Sequence, residues 1–116
     1  MLFRSHAGNM RTALERLKPY ADRVRILKGK TTACAADAAD GSLDFVFIDA
    51  DHSENGVLAD IDAWRSKVRP GGALIFHDQS WPGVKSALDC QCPGWRPARG
   101  DVAVWFVPYP VAQAAE

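Results

Sequence analysis

Apolar positions along this chain follow two rhythms: one returns at helical spacing, the other runs almost unbroken over short stretches. Between Ala7 and Leu17, the residues Met10, Ala13, Leu14 and Leu17 recur on one side. Arg11, Glu15, Arg16 and Lys18 fall mostly opposite, so an amphipathic helix is expected there. Pro19 terminates it, because the residue before a proline is pushed out of the helical region. Arg23-Val24-Arg25-Ile26-Leu27 then reads as a short strand closed by Gly29. Ala33 to Ala39 is alanine-rich and reads as a short helix, followed by a turn at Asp40-Gly41. Leu43 to Ile48 is the strongest strand signal, an apolar run that suits a strand covered on both faces.

Beyond it, Val57, Leu58, Ile61, Trp64 and Val68 share a helical face, with Asp60, Asp62, Arg65 and Lys67 mostly off it. Pro70-Gly71-Gly72 is expected to end this helix, and Ala73 to Phe76 to form another buried strand. Pro82 opens a short helix carrying Val84, Ala87 and Leu88. Val102 to Val107 is a last strand, and the tail after Pro108 is expected to be loose. Helices and strands alternate throughout, which predicts an α/β domain with a mostly parallel sheet. The expected division is one domain over residues 1–108 and a tail over 109–116.

Composition narrows the function classes. Apolar residues make up 47% of the chain, enough for a packed core, and fourteen basic residues balance fourteen acidic ones. Without a basic stripe there is no reason to expect nucleic acid or an anionic membrane surface as partner. No apolar run approaches the roughly 20 residues of a membrane span. Arg4, His6 and Asn9 interrupt any signal-peptide core. Three cysteines (Cys34, Cys90, Cys92) have no metal-ligand spacing and read as free thiols, so a soluble cytoplasmic protein is expected.

Two acids stand where an apolar strand ends, Asp49 after Leu43–Ile48 and Asp78 after Ala73–Phe76. In open α/β sheets, ligands bind at the carboxyl ends of strands, so adjacent strands would aim both carboxylates into one crevice. Two carboxylates and an amide oxygen suit a hard cation such as Mg2+. The plainer alternative is that acids here cap the next helix, a role open to Asp51 or Ser53. His52 and His77 lie beside the pair and could serve as general bases.

The run from Asp44 to Val84 reads Asp-Phe-Val-Phe-Ile-Asp-Ala-Asp-His, a helix, Arg-Pro-Gly-Gly, a strand, His-Asp, then Pro-Gly-Val. It resembles the fourth strand, following helix and fifth strand of class I S-adenosylmethionine-dependent methyltransferases, most closely the small-molecule O-methyltransferases. Ala21 to Gly29 resembles the third strand of that family, so the likeness covers roughly residues 3–107.

The resemblance implies an incomplete Rossmann-like, three-layer fold, S-adenosylmethionine as cofactor and a small-molecule methyl acceptor as partner. It places Asp49, Ala50, Asp51 and His52 along the cofactor, and Asp49, His52 and His77 in the catalytic centre. By similarity to the metal-dependent members, Asp49, Asp78 and Gln79 would hold a divalent cation such as Mg2+, with Gln79 in place of the usual asparagine.

Departures from the family shape further expectations. None of the nine glycines forms a Gly-x-Gly, so the cofactor loop of the first strand is missing. Lys30 stands where the family usually places an aspartate near the adenine. In the family order 3-2-1-4-5-7-6, two strands separate the third from the fourth. Val24–Leu27 is therefore expected either to pair beside Leu43–Ile48 or to leave an exposed edge through which copies could associate. A truncated enzyme with impaired cofactor binding is the expectation. The rivals are an inactive methyltransferase-like interaction module, and a glycosyltransferase using Asp49-Ala50-Asp51 to hold Mn2+ and a diphosphate.

Overall fold

In the computed structural model, which describes residues 7–110, the two most apolar runs lie side by side as parallel strands. Strand β1 is Leu43–Ile48 and β2 is Val68–Phe76. The helices are α1 (Ala7–Leu17), α2 (Thr31–Cys34), α3 (Glu54–Trp64) and α4 (Pro82–Gln91). Two further strands, β3 (Arg96–Ala98) and β4 (Val102–Phe106), complete a sheet of order β1-β2-β4-β3.

Alternation along the strands decides which face is closed. Val46 and Ile48 pair with Leu74 and Phe76, which pair in turn with Trp105 and Ala103. These residues meet Val57 and Ile61 of α3 and Val84, Ala87 and Leu88 of α4 in one core. Each large apolar side chain buried here contributes roughly 1.5–3 kcal/mol. The intervening residues of these strands look the other way, and Phe45 (60% exposed), Phe47 (45%) and Phe106 (62%) stay open to solvent. Of the three layers expected, the sheet and one helical layer are built; the opposite face is largely uncovered among the described residues.

The α/β, incomplete Rossmann-like architecture holds, but the sheet is not mostly parallel. Only β1 and β2 run parallel, whereas β4 is antiparallel to both of its neighbours. The cause is local: Arg99-Gly100-Asp101 turns the chain directly from β3 into β4, and a short hairpin connection can only produce an antiparallel pair. Strand β3 was not expected, since three exposed residues around Pro97 give no apolar signal; an edge position tolerates the proline.

Strand β2 starts earlier than its apolar residues suggest. Pro70-Gly71-Gly72 does not end a helix: α3 has already ended at Trp64, and Val68 pairs with Leu43. The strand bulges between Val68 and Ala73, with Gly71 at φ +79°, and the Gly71 and Gly72 backbone exchanges hydrogen bonds with Val107. Glycine supplies the left-handed bulge conformation at no steric cost.

Val24–Leu27 forms no strand and pairs with nothing in the sheet. A cleft of about 490 Å3 separates it from the free edge of β1, with Leu17, Thr31, Cys34, Asp60 and Trp64 also lining it. Of the two outcomes expected for this segment, the exposed edge is the one observed: among the described residues β1 pairs only with β2.

Candidate active site

The site is built from three loops at one end of β1 and β2. The first follows β1. Ser53 caps α3, its Oγ accepting from the Gly56 N–H at 3.1 Å, while Asp51 Oδ1 accepts from the Ser53 N–H at 2.8 Å. Satisfying these otherwise unpaired groups fixes the path of the chain from Asp49 to His52. The capping alternative is thus realised at Asp51 and Ser53, and it leaves Asp49 and His52 available for chemistry.

The second loop follows β2. Its first peptide is tied to β1 by a bond from the His77 N–H to the Ile48 carbonyl, at 3.2 Å. Asp78 then takes φ +59°, a left-handed conformation that few residues other than glycine, asparagine and aspartate adopt readily. The third loop, the β3–β4 turn, clamps Gln79 and Ser80. Asp101 accepts from the Ser80 N–H at 3.0 Å and the Ser80 hydroxyl at 2.7 Å, and its carbonyl accepts from the Gln79 N–H. Finally, α4 abuts the first loop so closely that a Cβ on Gly83 would meet the His52 carbonyl oxygen at 2.5 Å.

Four side chains converge as a result. His52 Nε2 lies 2.5 Å from Asp78 Oδ2 and 4.0 Å from Asp49 Oδ1. His77 Nδ1 lies 3.1 Å from Asp78 Oδ1 and 3.7 Å from Asp49 Oδ1. Burial alone pushes the Asp78 carboxyl upward, but hydrogen bonds from His52 and His77 outweigh it and hold the group below its ordinary value. Asp78 is therefore an ionised acceptor, and the ring nitrogens facing it carry their protons. Trp81 stacks on His52, ring centres 4.6 Å apart and 27° from coplanar, which fixes the plane of the imidazole.

The sequence expectations fall out unevenly. Asp49, His52, His77 and Asp78 are brought together, whereas Asp51 is drawn into the capping turn. Gln79 is held through its backbone, and its side-chain amide makes no hydrogen bond to the described residues. Asp49 and Ala50 also line the cleft beside β1.

Trp81, Ser80 and Asp101 were not anticipated. For Trp81 the signal was a large aromatic beside a helix-opening proline. Asp101 lies twenty-one residues from Ser80, and nothing local marks it.

Donor chemistry bears on the metal expected here. The ligating atoms of Asp49, His52 and Asp78 all lie within 4.8 Å of one another. An imidazole nitrogen in the middle of the set does not fit Mg2+, which takes oxygen ligands in near-ideal octahedra. No helix among the described residues is long and apolar enough to cross a membrane.

Fold and site together define an α/β, Rossmann-like domain with its functional groups at the carboxyl ends of adjacent parallel strands. Residues 3–79 match the family model described as a methyltransferase domain, and the chain belongs to that family. A solved structure of a protein from Corynebacterium glutamicum superimposes with a TM-score of 0.69 over 93% of this chain at 20% sequence identity. This chain spans 60% of that structure's length.

Proposed function

We propose that this domain carries the acceptor side of an S-adenosylmethionine-dependent methyltransferase that modifies a hydroxyl group on a small molecule. The observation that carries the reading is the ring of Asp49, His52, Asp78 and His77 where the two parallel strands end. S-adenosylmethionine, when bound, supplies a methyl group on a sulfonium that an oxygen nucleophile can attack.

The protein's part is to prepare that oxygen. Because His77 Nδ1 faces two carboxylates, its proton is held there and Nε2 keeps the free lone pair. His77, more exposed than His52 (38% against 24%), receives the acceptor's hydroxyl proton at Nε2. Asp78 stabilises the imidazolium that results, much as a buried carboxylate serves an imidazole in hydrolases. His52, pinned between Asp78 and Trp81, keeps Asp78 in place.

On the donor side, Asp49 and Ala50 form the rim of the cleft, and no Gly-x-Gly segment approaches it. That openness favours a second reading, in which the domain binds partners without catalysing.

Calorimetry with S-adenosylmethionine separates the two. Methyl transfer requires measurable heat, and His77→Gln should then lower turnover of a hydroxylated acceptor by about 10²–10⁴-fold with donor binding unchanged. No heat at millimolar donor would leave only the binding module.

A further inference from the structure

We infer that Asp101, in the turn between β3 and β4, is a positioning residue: it fixes the backbone at Asp78 and so sets that carboxylate against His52 and His77. Its bearing on catalysis rests on the methyl-transfer reading; the positioning itself does not.

The sheet delivers Asp101 to this place. Phe76 pairs with Ala103 in antiparallel strands, so continuing the register past both strand ends brings Asp101 opposite Asp78. From there it accepts from both residues that follow Asp78. Its carbonyl accepts from the Gln79 N–H at 3.1 Å, Oδ1 from the Ser80 N–H at 3.0 Å, and Oδ2 from the Ser80 hydroxyl at 2.7 Å.

One peptide plane couples Asp101 to Asp78. The Gln79 N–H and the Asp78 carbonyl belong to the same rigid peptide, whose orientation is set by ψ of Asp78. Asp101 holds the N–H end, and the Trp81 N–H holds the carbonyl end at 3.0 Å. Asp78 sits at φ +59°, a conformation that costs a side-chain-bearing residue free energy and persists only when its surroundings hold it. Relaxing to a right-handed conformation would rotate the plane and break both bonds. It would also swing the carboxylate off His52 Nε2, now at 2.5 Å, and His77 Nδ1, now at 3.1 Å.

Asp101 has φ +60° itself, which aspartate, asparagine and glycine tolerate. Turn shape is therefore one reason for an aspartate here, and its carboxylate bonds are another. Substitution separates them. Asp101→Gly keeps the turn and leaves only the backbone bond to Gln79. Asp101→Asn keeps the turn and an oxygen for the Ser80 N–H, while its amide donates to the Ser80 hydroxyl oxygen.

The test is nitrogen NMR of the imidazoles at about pH 9, above the ordinary histidine range, together with amide exchange. In the parent, His77 should carry its proton on Nδ1, the less common form of a free imidazole, because Asp78 Oδ1 faces that nitrogen. Asp101→Gly should move a substantial share of His77 to the Nε2–H form and speed exchange of the Gln79 and Ser80 amides by at least about tenfold. Asp101→Asn should restore the parent behaviour. Circular dichroism checks that each variant is folded; a residue serving the turn alone would leave the His77 tautomer unmoved.

An unchanged tautomer in Asp101→Gly, no rescue by Asp101→Asn, or unprotected Gln79 and Ser80 amides in the parent would each overturn the inference. Should Asp101→Gly not fold, Ser80→Ala, which removes only the hydroxyl donor, should show both changes at smaller size, and an unchanged Ser80→Ala would overturn it equally. Neither S-adenosylmethionine nor an acceptor enters these measurements. A failure here leaves methyl transfer standing, and a failure of donor binding leaves the positioning result standing.

Discussion

The two faces of the sheet are made from the same strands, yet one is sealed and the other bare. Val46, Leu74, Phe76 and Trp105 meet α3 and α4, while Phe45, Phe47 and Phe106, one residue along, meet water. Hydrophobicity differs little between the two sets. The difference lies in what the chain supplies to cover each face: a pleat sends side chains both ways, but only helices returning to one side can bury them.

The largest expected effect tests this contrast directly. Phe76→Ala, on the sealed face and 1% exposed, should cost about 3–5 kcal/mol in urea denaturation through lost burial and the cavity left behind. Phe45→Ala, on the bare face, should change stability by only about 0.5 kcal/mol. Equal losses at both positions would mean that the bare face is covered in solution.

A smaller effect sharpens the contrast where the sealed side borders the cleft. Asp60 on α3 is buried, accepts a hydrogen bond from the Thr31 hydroxyl, and also lines the cleft. Burial pushes its carboxyl above the ordinary 3.8, against the Thr31 bond, with Asp51 adding repulsion. The folded chain therefore holds this proton to higher pH than the unfolded chain. The resulting stabilisation is complete below pH 3.8 and fades as pH rises through the folded value. Asp60→Asn keeps an oxygen for Thr31 and removes the charge. The variant should be at least as stable as the parent at neutral pH and should lack this acid-side gain in a pH series of thermal melts. A marked loss at neutral pH would show that the ionised carboxylate has a partner that stabilises it.

The smallest effect compares two thiols near the end of α4. Cys92 is buried against the core, and that burial pushes its thiol up to about 11 despite nearby Arg65. Cys90 is exposed. A disulfide reagent at mildly alkaline pH should label Cys90 promptly and Cys92 only after denaturant is added. Rapid labelling of Cys92 would place α4 loosely on the sheet.

These contrasts also explain what could be read from residues alone. Continuous apolar runs marked β1 and the second half of β2, and the acids at their ends marked the site, because burial and strand termini leave local signatures. The start of β2 was hidden, since Pro70-Gly71-Gly72 suits a break as well as a bulge. Strand β3 has no buried side chain to betray it. The bonds from Thr31 to Asp60 and from Ser80 to Asp101 join segments far apart in the chain, so no local pattern could carry them. Nor does alternation of elements determine strand direction, which here is set by the hairpin after β3.

The backward twist of the chain at Asp78 restricts which residues can stand there. A branched or bulky replacement would strain the turn before any question of charge arose, and glycine would keep the turn while deleting the carboxylate. Asparagine alone preserves both backbone shape and side-chain length. At this corner, main-chain geometry and acid–base chemistry select the same amino acid, so the position has little room to vary without losing one or the other.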